Sequence, residues 1–369
     1  MRAIISGGGT GGHIFPAIAI ANEIKRQFPG ADILFIGAKN RMEMEKVPQA
    51  GFPIEGLWIS GLQRRLTWKN LLFPFKILCS WLKARRIIKR FAPDIVVGVG
   101  GYSSGPSLKA ARSLGIPYMI QEQNSYPGIT NKILAKNAEI ICTAYDGMGR
   151  WFPDEKTFLT GNPVRSLIVQ NKTTSEEGKA FFELDPAKTT VLIVGGSLGA
   201  RTINESIAQG LELFARNDLQ IIWQTGKSYH ETALQKVKDL CDKGMKNDIK
   251  ILPFIAEMDK AYAAADIVVS RAGAIAISEL CLVGKPAILV PSPNVAEDHQ
   301  TKNAQRLSNR HAALLVKDTD ARENLAEVIC SLSKDEKLKK TLQENILKMG
   351  IGDADKKIVE LLKKFLENA

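Results

Sequence analysis

Apolar residues in this chain come in short unbroken runs rather than in alternation. The runs fall at 2–6, 32–36, 95–99, 118–121 and 139–143, and again at 190–194, 220–224, 249–252, 267–270, 287–290 and 313–316. An unbroken run predicts a strand buried on both faces, as in a parallel sheet. Helical stretches such as 15–28 separate the runs, so strand and helix alternate along the chain. A short strand at 156–159 leads into Thr160-Gly161-Asn162-Pro163, and a polar stretch follows at 170–179. Turn chemistry followed by polarity predicts a domain boundary there. The tail, 338–366, reads as helical with a break at 350–352. The expected class is α/β: two Rossmann-like, doubly wound parallel-sheet domains at 1–163 and 164–345. A C-terminal helix at 346–369 has the N-terminal domain as its candidate seat. A length of 369 residues agrees with two domains.

Glycine-rich turns stand at the ends of two predicted strands. They are Gly7-Gly8-Gly9-Thr10-Gly11-Gly12-His13 and Gly195-Gly196-Ser197-Leu198-Gly199. Glycine takes positive φ and lets backbone approach a ligand closely. A helix start just after such a turn offers N–H groups and a positive dipole end to an anion. Two such loops predict two nucleotide-fold domains facing each other across a cleft. Gly7-x-Gly9-x-x-Gly12 also fits the dinucleotide fingerprint. A dehydrogenase needs an acid at the end of its second strand, where this chain has Phe35-Ile36-Gly37-Ala38-Lys39. That speaks against NAD and leaves an NADP-binding reductase open through Lys39. Gly195-x-Ser197-x-Gly199 fits a hydrolase nucleophile elbow, with Asp266 and His299 following in the required order. The N-terminal half does not suggest a hydrolase.

Charge narrows the choice of partner. Residues 1–165 hold 22 Lys and Arg against 11 Asp and Glu, and residues 166–369 hold 28 of each. The formal net charge of +11 therefore sits in the first half. Between 56 and 93 there are nine basic residues and no acidic one. Such a field favours an anionic partner, and no nucleic-acid recognition motif accompanies it. The stretch 68–91 mixes Trp, Phe and Leu with Lys and Arg. It is too short and too interrupted to span a bilayer, which takes roughly 20 apolar residues. Its composition predicts a helix lying at an anionic membrane surface, with a crossover helix of solvated basic face as the competing reading. Five scattered cysteines without a C-x-x-C pair argue against disulfides and zinc and for a reducing cytoplasm. The N-terminus runs straight into a strand, so no signal peptide is expected.

Several strand ends carry candidate chemistry. Ser270-Arg271-Ala272-Gly273 is a small-residue turn before a helix that contains Glu279, whose carboxylate suits the two hydroxyls of a ribose. His299 and Gln300 open a helix after the 287–290 strand and suit a sugar, or simply start that helix. Gly100-Gly101-Tyr102 and Glu122-Gln123-Asn124 follow strands of the first half. Among the four histidines, only His13 stands at a glycine-loop helix start, where the dipole favours neutral imidazole. A neutral imidazole accepts a proton from an attacking hydroxyl. The competing reading makes His13 a structural cap or an anion contact.

As a set, these residues resemble the MurG family of peptidoglycan N-acetylglucosaminyltransferases. The matching segments are Gly8-Gly9-Thr10-Gly11-Gly12-His13-Ile14-Phe15-Pro16, Gly100-Gly101-Tyr102, Gln121-Glu122-Gln123-Asn124, Gly161-Asn162-Pro163-Val164-Arg165, Gly195-Gly196-Ser197-x-Gly199-Ala200-Arg201, Ser270-Arg271-Ala272-Gly273-Ala274 with Glu279, and His299-Gln300 with Asn303. The resemblance implies a GT-B fold with acceptor on the first domain and donor on the second. It implies inverting transfer of N-acetylglucosamine from UDP-N-acetylglucosamine to lipid I, the undecaprenyl-linked muramoyl-pentapeptide, at the cytoplasmic face of the inner membrane. Uracil and ribose contacts would come from Ile255, Ala274, Ile275, Ala276, Ile277, Ser278 and Glu279. Diphosphate contacts would come from Ser197 and Arg165, and sugar contacts from Asn124 and Gln300, with Thr10, Gly11 and Gly12 alongside. Ala276 stands where the family commonly has Thr, and Leu198 where it often has Gln. Inversion needs a base on the acceptor side; His13 is the first candidate and Glu122 the second. The D-x-D at Asp353-Ala-Asp355 lies in the helical tail, and neither metal nor other cofactor is expected. The predicted membrane residues are Phe73, Phe75, Leu78, Trp81 and Leu82, beside Lys76, Lys83, Arg85 and Arg86. A transferase for a different lipid acceptor, and a non-catalytic nucleotide-binding module, are the remaining alternatives.

Overall fold

The structure, a computed structural model, describes residues 1–60, 73–244 and 248–368. Residues 68–72 of the basic-aromatic stretch lie outside it. The chain divides into two compact units, Met1–Arg165 with Ile351–Ala369, and Ser166–Gly350.

The first unit is built on a seven-stranded sheet in the order β3-β2-β1-β4-β5-β6-β7. The strands are β1 Arg2–Ser6, β2 Asp32–Ala38, β3 Ile54–Leu57, β4 Ile95–Gly98, β5 Tyr118–Glu122, β6 Ile140–Thr143 and β7 Thr157–Leu159, and every pairing is parallel. Strand order reverses between β1 and β4, which run side by side from Ala3 opposite Ile95 to Ser6 opposite Gly98. Ligands of open α/β sheets sit at such a switch point, beyond the strands' carboxyl ends. β3 has no counterpart among the sequence expectations. Its four residues, Ile-Glu-Gly-Leu, contain no apolar run, and β3 forms the sheet edge, paired only with β2.

Helices cover both faces of this sheet. On one face lies α1 (Gly11–Gln27), which buries Ile14, Ala17, Ile20, Ala21 and Ile24 at helical spacing. It starts four residues before the expected 15–28, because the two glycines form its first turn. The last helix, Ala354–Asn368, returns to the same face and contributes Ile358, Val359 and Leu362 to the same core. On the opposite face lie Phe73–Phe91, Ser104–Ser113 and Ile129–Ala135, whose Ala84, Ile87, Ile88, Leu108, Ala111 and Leu134 form a second core.

The second unit holds a six-stranded sheet in the order β10-β9-β8-β11-β12-β13, also fully parallel. Its strands are β8 Thr190–Val194, β9 Gln220–Gln224, β10 Asp248–Leu252, β11 Ile267–Ser270, β12 Ala287–Leu289 and β13 Leu314–Leu315. Here the order reverses between β8 and β11, where Val194 pairs with Ser270. Trp223 is fully buried and packs with Ile203, Ile207, Phe214, Leu325 and Ile329.

Two measurements follow. Leu362 is fully buried, so Leu362→Ala is expected to cost about 2–5 kcal/mol of first-unit stability in denaturant titrations. A loss under about 0.5 kcal/mol would mean that the last helix is not packed there. Thiol reactivity reads the cores independently, since the thiolate is the reactive form. Burial pushes Cys142 and Cys281 up to about 12 and also raises Cys330. Only Cys79 and Cys241 are exposed, so a thiol reagent near pH 8 labels two cysteines in the folded protein and all five after unfolding.

Candidate active site

In the first unit, both glycine turns of the switch point press backbone on backbone. Gly100 and Gly101 follow β4 with φ of +87° and +83°. A Cβ on Gly101 would lie 2.1 Å from the Gly8 carbonyl oxygen, and one on Gly100 would lie 2.7 Å from His13 Nδ1. Only glycine leaves room for the imidazole against this turn.

The His13 ring is held by Gln123. Gln123 Nε2 donates to the Val99 carbonyl (2.8 Å) and to Gln121 Oε1. This orients the amide so that its Oε1 meets His13 Nδ1 at 3.1 Å. Nδ1 therefore carries the hydrogen and donates, and Nε2 is the basic nitrogen of the ring. Gln121 Nε2 donates to Asn162 Oδ1 (2.9 Å), and Asn162 Nδ2 donates to the Gln123 carbonyl (3.0 Å). All three amides are buried, so their mutual bonds leave Gln123 little freedom.

Glu122 is occupied differently. Its Oε1 accepts from the Asn124 N–H (2.9 Å) and Asn124 Nδ2 (3.2 Å). Its Oε2 accepts from the Gly128 N–H (3.1 Å) and Asn131 Nδ2 (2.8 Å). Four donor groups on one buried carboxylate pin the loop after β5. Thr10 is exposed, and Gly11 and Gly12 form the first turn of α1. Arg165 is the last residue of this unit's first segment.

The second unit's switch point carries the other candidates. Gly196 and Gly199 have φ of +88° and +78°, and Gly199 donates its N–H to the Gly196 carbonyl (2.8 Å) in a tight turn. Ser197 is exposed on that turn. The helix Arg201–Arg216 follows without a side-chain cap, as does Ala274–Val283 after the Ser270-Gly273 turn. Glu279 lies buried on the second of these helices and accepts from Tyr262 Oη (3.1 Å). Tyr262 belongs to the helix Met258–Ala264, entered from Ile255. Ile255 is buried. Ala274, Ile275, Ala276 and Ser278 are partly exposed, while Ile277 is buried. Gln300 accepts from the Ser292 N–H (2.8 Å) through Oε1 and so anchors the loop after β12. Two consecutive left-handed residues, Glu297 and Asp298, precede its helix.

Arg271 is committed to structure. Its Nη1 donates to the Val290 (3.1 Å) and Pro291 (3.2 Å) carbonyls and pairs with Asp318. Asp318 in turn accepts from Thr202 Oγ1 (3.0 Å), which ties the β11 and β12 ends to the helix after the glycine turn.

The predicted site residues thus fall into two groups, one on each unit. Sequence reading passed over Glu43, Tyr262 and Asp318, three side chains that hold candidates in place. None belongs to a segment singled out in the sequence; each is placed by strand order.

The helix Phe73–Phe91 presents Phe75, Leu78 and Leu82 more than half exposed, at spacing that puts them on one face. Arg85 and Arg86 are exposed further along. Four predicted members of this surface are placed otherwise. Trp81 packs against the core beneath the helix. Lys76 donates to Ser60 Oγ (3.1 Å) and Lys83 to the Gly56 carbonyl (2.7 Å), so both fold back on the unit. Phe73 is partly buried. Among the described residues, no helix is long and apolar enough to cross a membrane.

Two parallel sheets, each with its glycine turns at the switch point, define a GT-B glycosyltransferase fold. Residues 3–143 match the N-terminal domain, and 190–360 the C-terminal domain, of glycosyltransferase family 28. The chain is 54% identical over 358 residues to the UDP-N-acetylglucosamine--N-acetylmuramyl-(pentapeptide) pyrophosphoryl-undecaprenol N-acetylglucosamine transferase of Cytophaga hutchinsonii, covering 97% of this chain and 95% of that one. It is 53% identical over 356 residues to the transferase of the same name from Bacteroides fragilis, covering 96% and 93%. The crystal structure of Acinetobacter baumannii MurG superposes with a TM-score of 0.79 at 30% identity, covering 98% and 99% of the two chains. The chain belongs to glycosyltransferase family 28 and, within it, to the MurG family.

Proposed function

We propose that this chain transfers N-acetylglucosamine from UDP-N-acetylglucosamine to lipid I, giving lipid II for peptidoglycan synthesis. The names of its relatives support the substrates. The hydrogen bond from His13 Nδ1 to Gln123 Oε1 carries the mechanism, because it makes Nε2 the basic nitrogen. The acceptor 4-hydroxyl attacks C1 of the donor sugar from the face opposite UDP, and its proton passes to His13 Nε2. The bond from C1 to the β-phosphate oxygen breaks, and configuration at C1 inverts. The charge left on UDP is met by main-chain N–H groups of the 196–199 turn and of the helix start behind it. Ser197 and Arg165 contact the diphosphate. Glu279, held by Tyr262, accepts from the ribose hydroxyls, and the main chain of Ile255 and of 274–278 receives the uracil. Thr10, Gly11, Gly12 and Asn124 on the first unit, and Gln300 on the second, are the residues we assign to the transferred sugar. The first unit takes the acceptor and the second the donor. Glu122 shapes its loop instead of moving the proton.

The acceptor is a polyprenyl diphosphate, so the enzyme works as a peripheral protein on the cytoplasmic face of the membrane. Phe75, Leu78 and Leu82 enter the interface, and Arg85 and Arg86 meet anionic headgroups.

Donor turnover with lipid I tests the chemistry. His13→Ala is expected to lower kcat by about 10²–10⁴-fold with donor KM little changed. Glu279→Ala is expected to raise donor KM by roughly 10–100-fold. Wild-type kcat/KM in both variants would remove the site assignment. Vesicle sedimentation tests the surface: binding should need anionic lipid, weaken as salt rises, and vanish in a variant carrying Phe75→Ser, Leu78→Ser and Leu82→Ser. Full binding of that variant, or undiminished binding to neutral vesicles in high salt, would refute the membrane assignment.

A further inference from the structure

Behind the first glycine turn lies a buried carboxylate that the reaction does not use. Glu43 is the first residue of the helix Glu43–Gln49 and is almost wholly inaccessible. Two glycines clear the space it fills. A Cβ on Gly8 would lie 2.2 Å from Glu43 Oε1, and one on Gly37 would lie 2.6 Å from its Cγ. The carboxylate spans two neighbouring strand ends. Its Oε1 accepts from the Ala38 N–H at the end of β2 (2.9 Å), and its Oε2 from the Gly9 N–H in the turn after β1 (2.9 Å).

The turn held in this way has little stiffness of its own. Gly8 and Gly9 have φ of +149° and +89°, and glycine leaves the widest choice of alternatives. Yet its far side demands accuracy. The Gly8 carbonyl fits the space left by the missing Gly101 Cβ, and Gly100 abuts the His13 ring. The same turn continues through Thr10 into α1, where the His13 and Ile14 N–H groups donate to the Thr10 carbonyl (3.1 and 3.2 Å). A displaced Gly8-Gly9 segment therefore reaches His13 along two routes, through the start of α1 and through the 100–101 turn.

We propose that Glu43 is a positioning residue for His13. By bonding Gly9 and Ala38 together, it fixes the glycine turn, and so holds the imidazole in register with Gln123 Oε1 in the tautomer that places the basic nitrogen at Nε2. The importance of that tautomer for turnover rests on the proposed function, whereas the geometric claim does not.

Glu43→Gln separates the two. Glutamine keeps the shape but offers one acceptor oxygen, and its NH₂ faces a main-chain donor, so one of the two bonds is lost in either orientation. Imidazole ¹⁵N spectra at a pH where the ring is neutral read the tautomer directly, with the His13 signals identified by their absence from His13→Ala. In the wild-type protein Nδ1 carries the hydrogen; in Glu43→Gln the His13 signals should move toward the mixed tautomers of free imidazole. Turnover should fall about 10–100-fold with donor KM within about twofold, the pattern of a misplaced reacting group. Glu43→Asp, one methylene shorter, provides the same readouts if the glutamine variant does not fold. An unaltered His13 spectrum in either folded variant overturns the proposal. Loss of the fold in both overturns it too, since Glu43 would then serve the fold alone. Wild-type turnover in His13→Ala would sink the base assignment, yet a shifted His13 tautomer in Glu43→Gln would still uphold the role of Glu43.

Discussion

Direct contact between main chains at the ends of β1 and β4 is the constraint on which the first unit's chemistry depends. A carbonyl at Gly8 occupies the place where any residue other than glycine at 101 would put its Cβ, 2.1 Å away. Interiors have almost no spare volume, so such a contact fixes the atoms on both sides of it. His13 inherits its place from this contact, because Gly100 leaves room for the ring and Gln123 receives its Nδ1 hydrogen. The second unit repeats the device. A Cβ on Gly199 would lie 2.1 Å from the Thr225 carbonyl, and one on Gly226 would lie 2.3 Å from that of Leu198.

Buried polar side chains then convert a tight turn into a defined site. Gln121, Gln123 and Asn162 form a closed set of amide bonds in which each orientation dictates the next. Glu122 and Glu43 each use both oxygens on main-chain N–H donors of turns and strand ends. In the second unit Arg271 and Asp318 do the corresponding work, with three main-chain or side-chain partners on the guanidinium. Unpaired, any of these groups would carry a desolvation penalty; paired, they hold loops that have no hydrophobic core of their own.

Much of this was legible from residue order. Strands at 2–6, 190–194, 220–224 and 267–270 agree with the structure to the residue, because both-face burial demands unbroken apolar runs. The glycine turns were visible for a similar reason, since glycine is costly unless the backbone needs it. β3 was not legible, because an edge strand with Glu55 and Gly56 needs no apolar run. On the Phe73–Phe91 helix, composition alone gave Trp81, Lys76 and Lys83 the same standing as Phe75 and Leu82. The fold sends the first to the core and the two lysines back to Ser60 and Gly56.

Sequence by itself determined what is local: the α/β alternation, the glycine turns, the basic first half and the set of short motifs that mark the family. Those features need only neighbours within a few residues. Tertiary structure decided what depends on strand order. It joined Glu43 to Gly9 across 34 positions, His13 to Gln123 across 110 and Tyr262 to Glu279 on an adjacent helix, and it returned the last helix to the first unit's core. No local pattern encodes such meetings, because a buried acceptor finds its donor through the crossing of the chain and not through its neighbours in sequence.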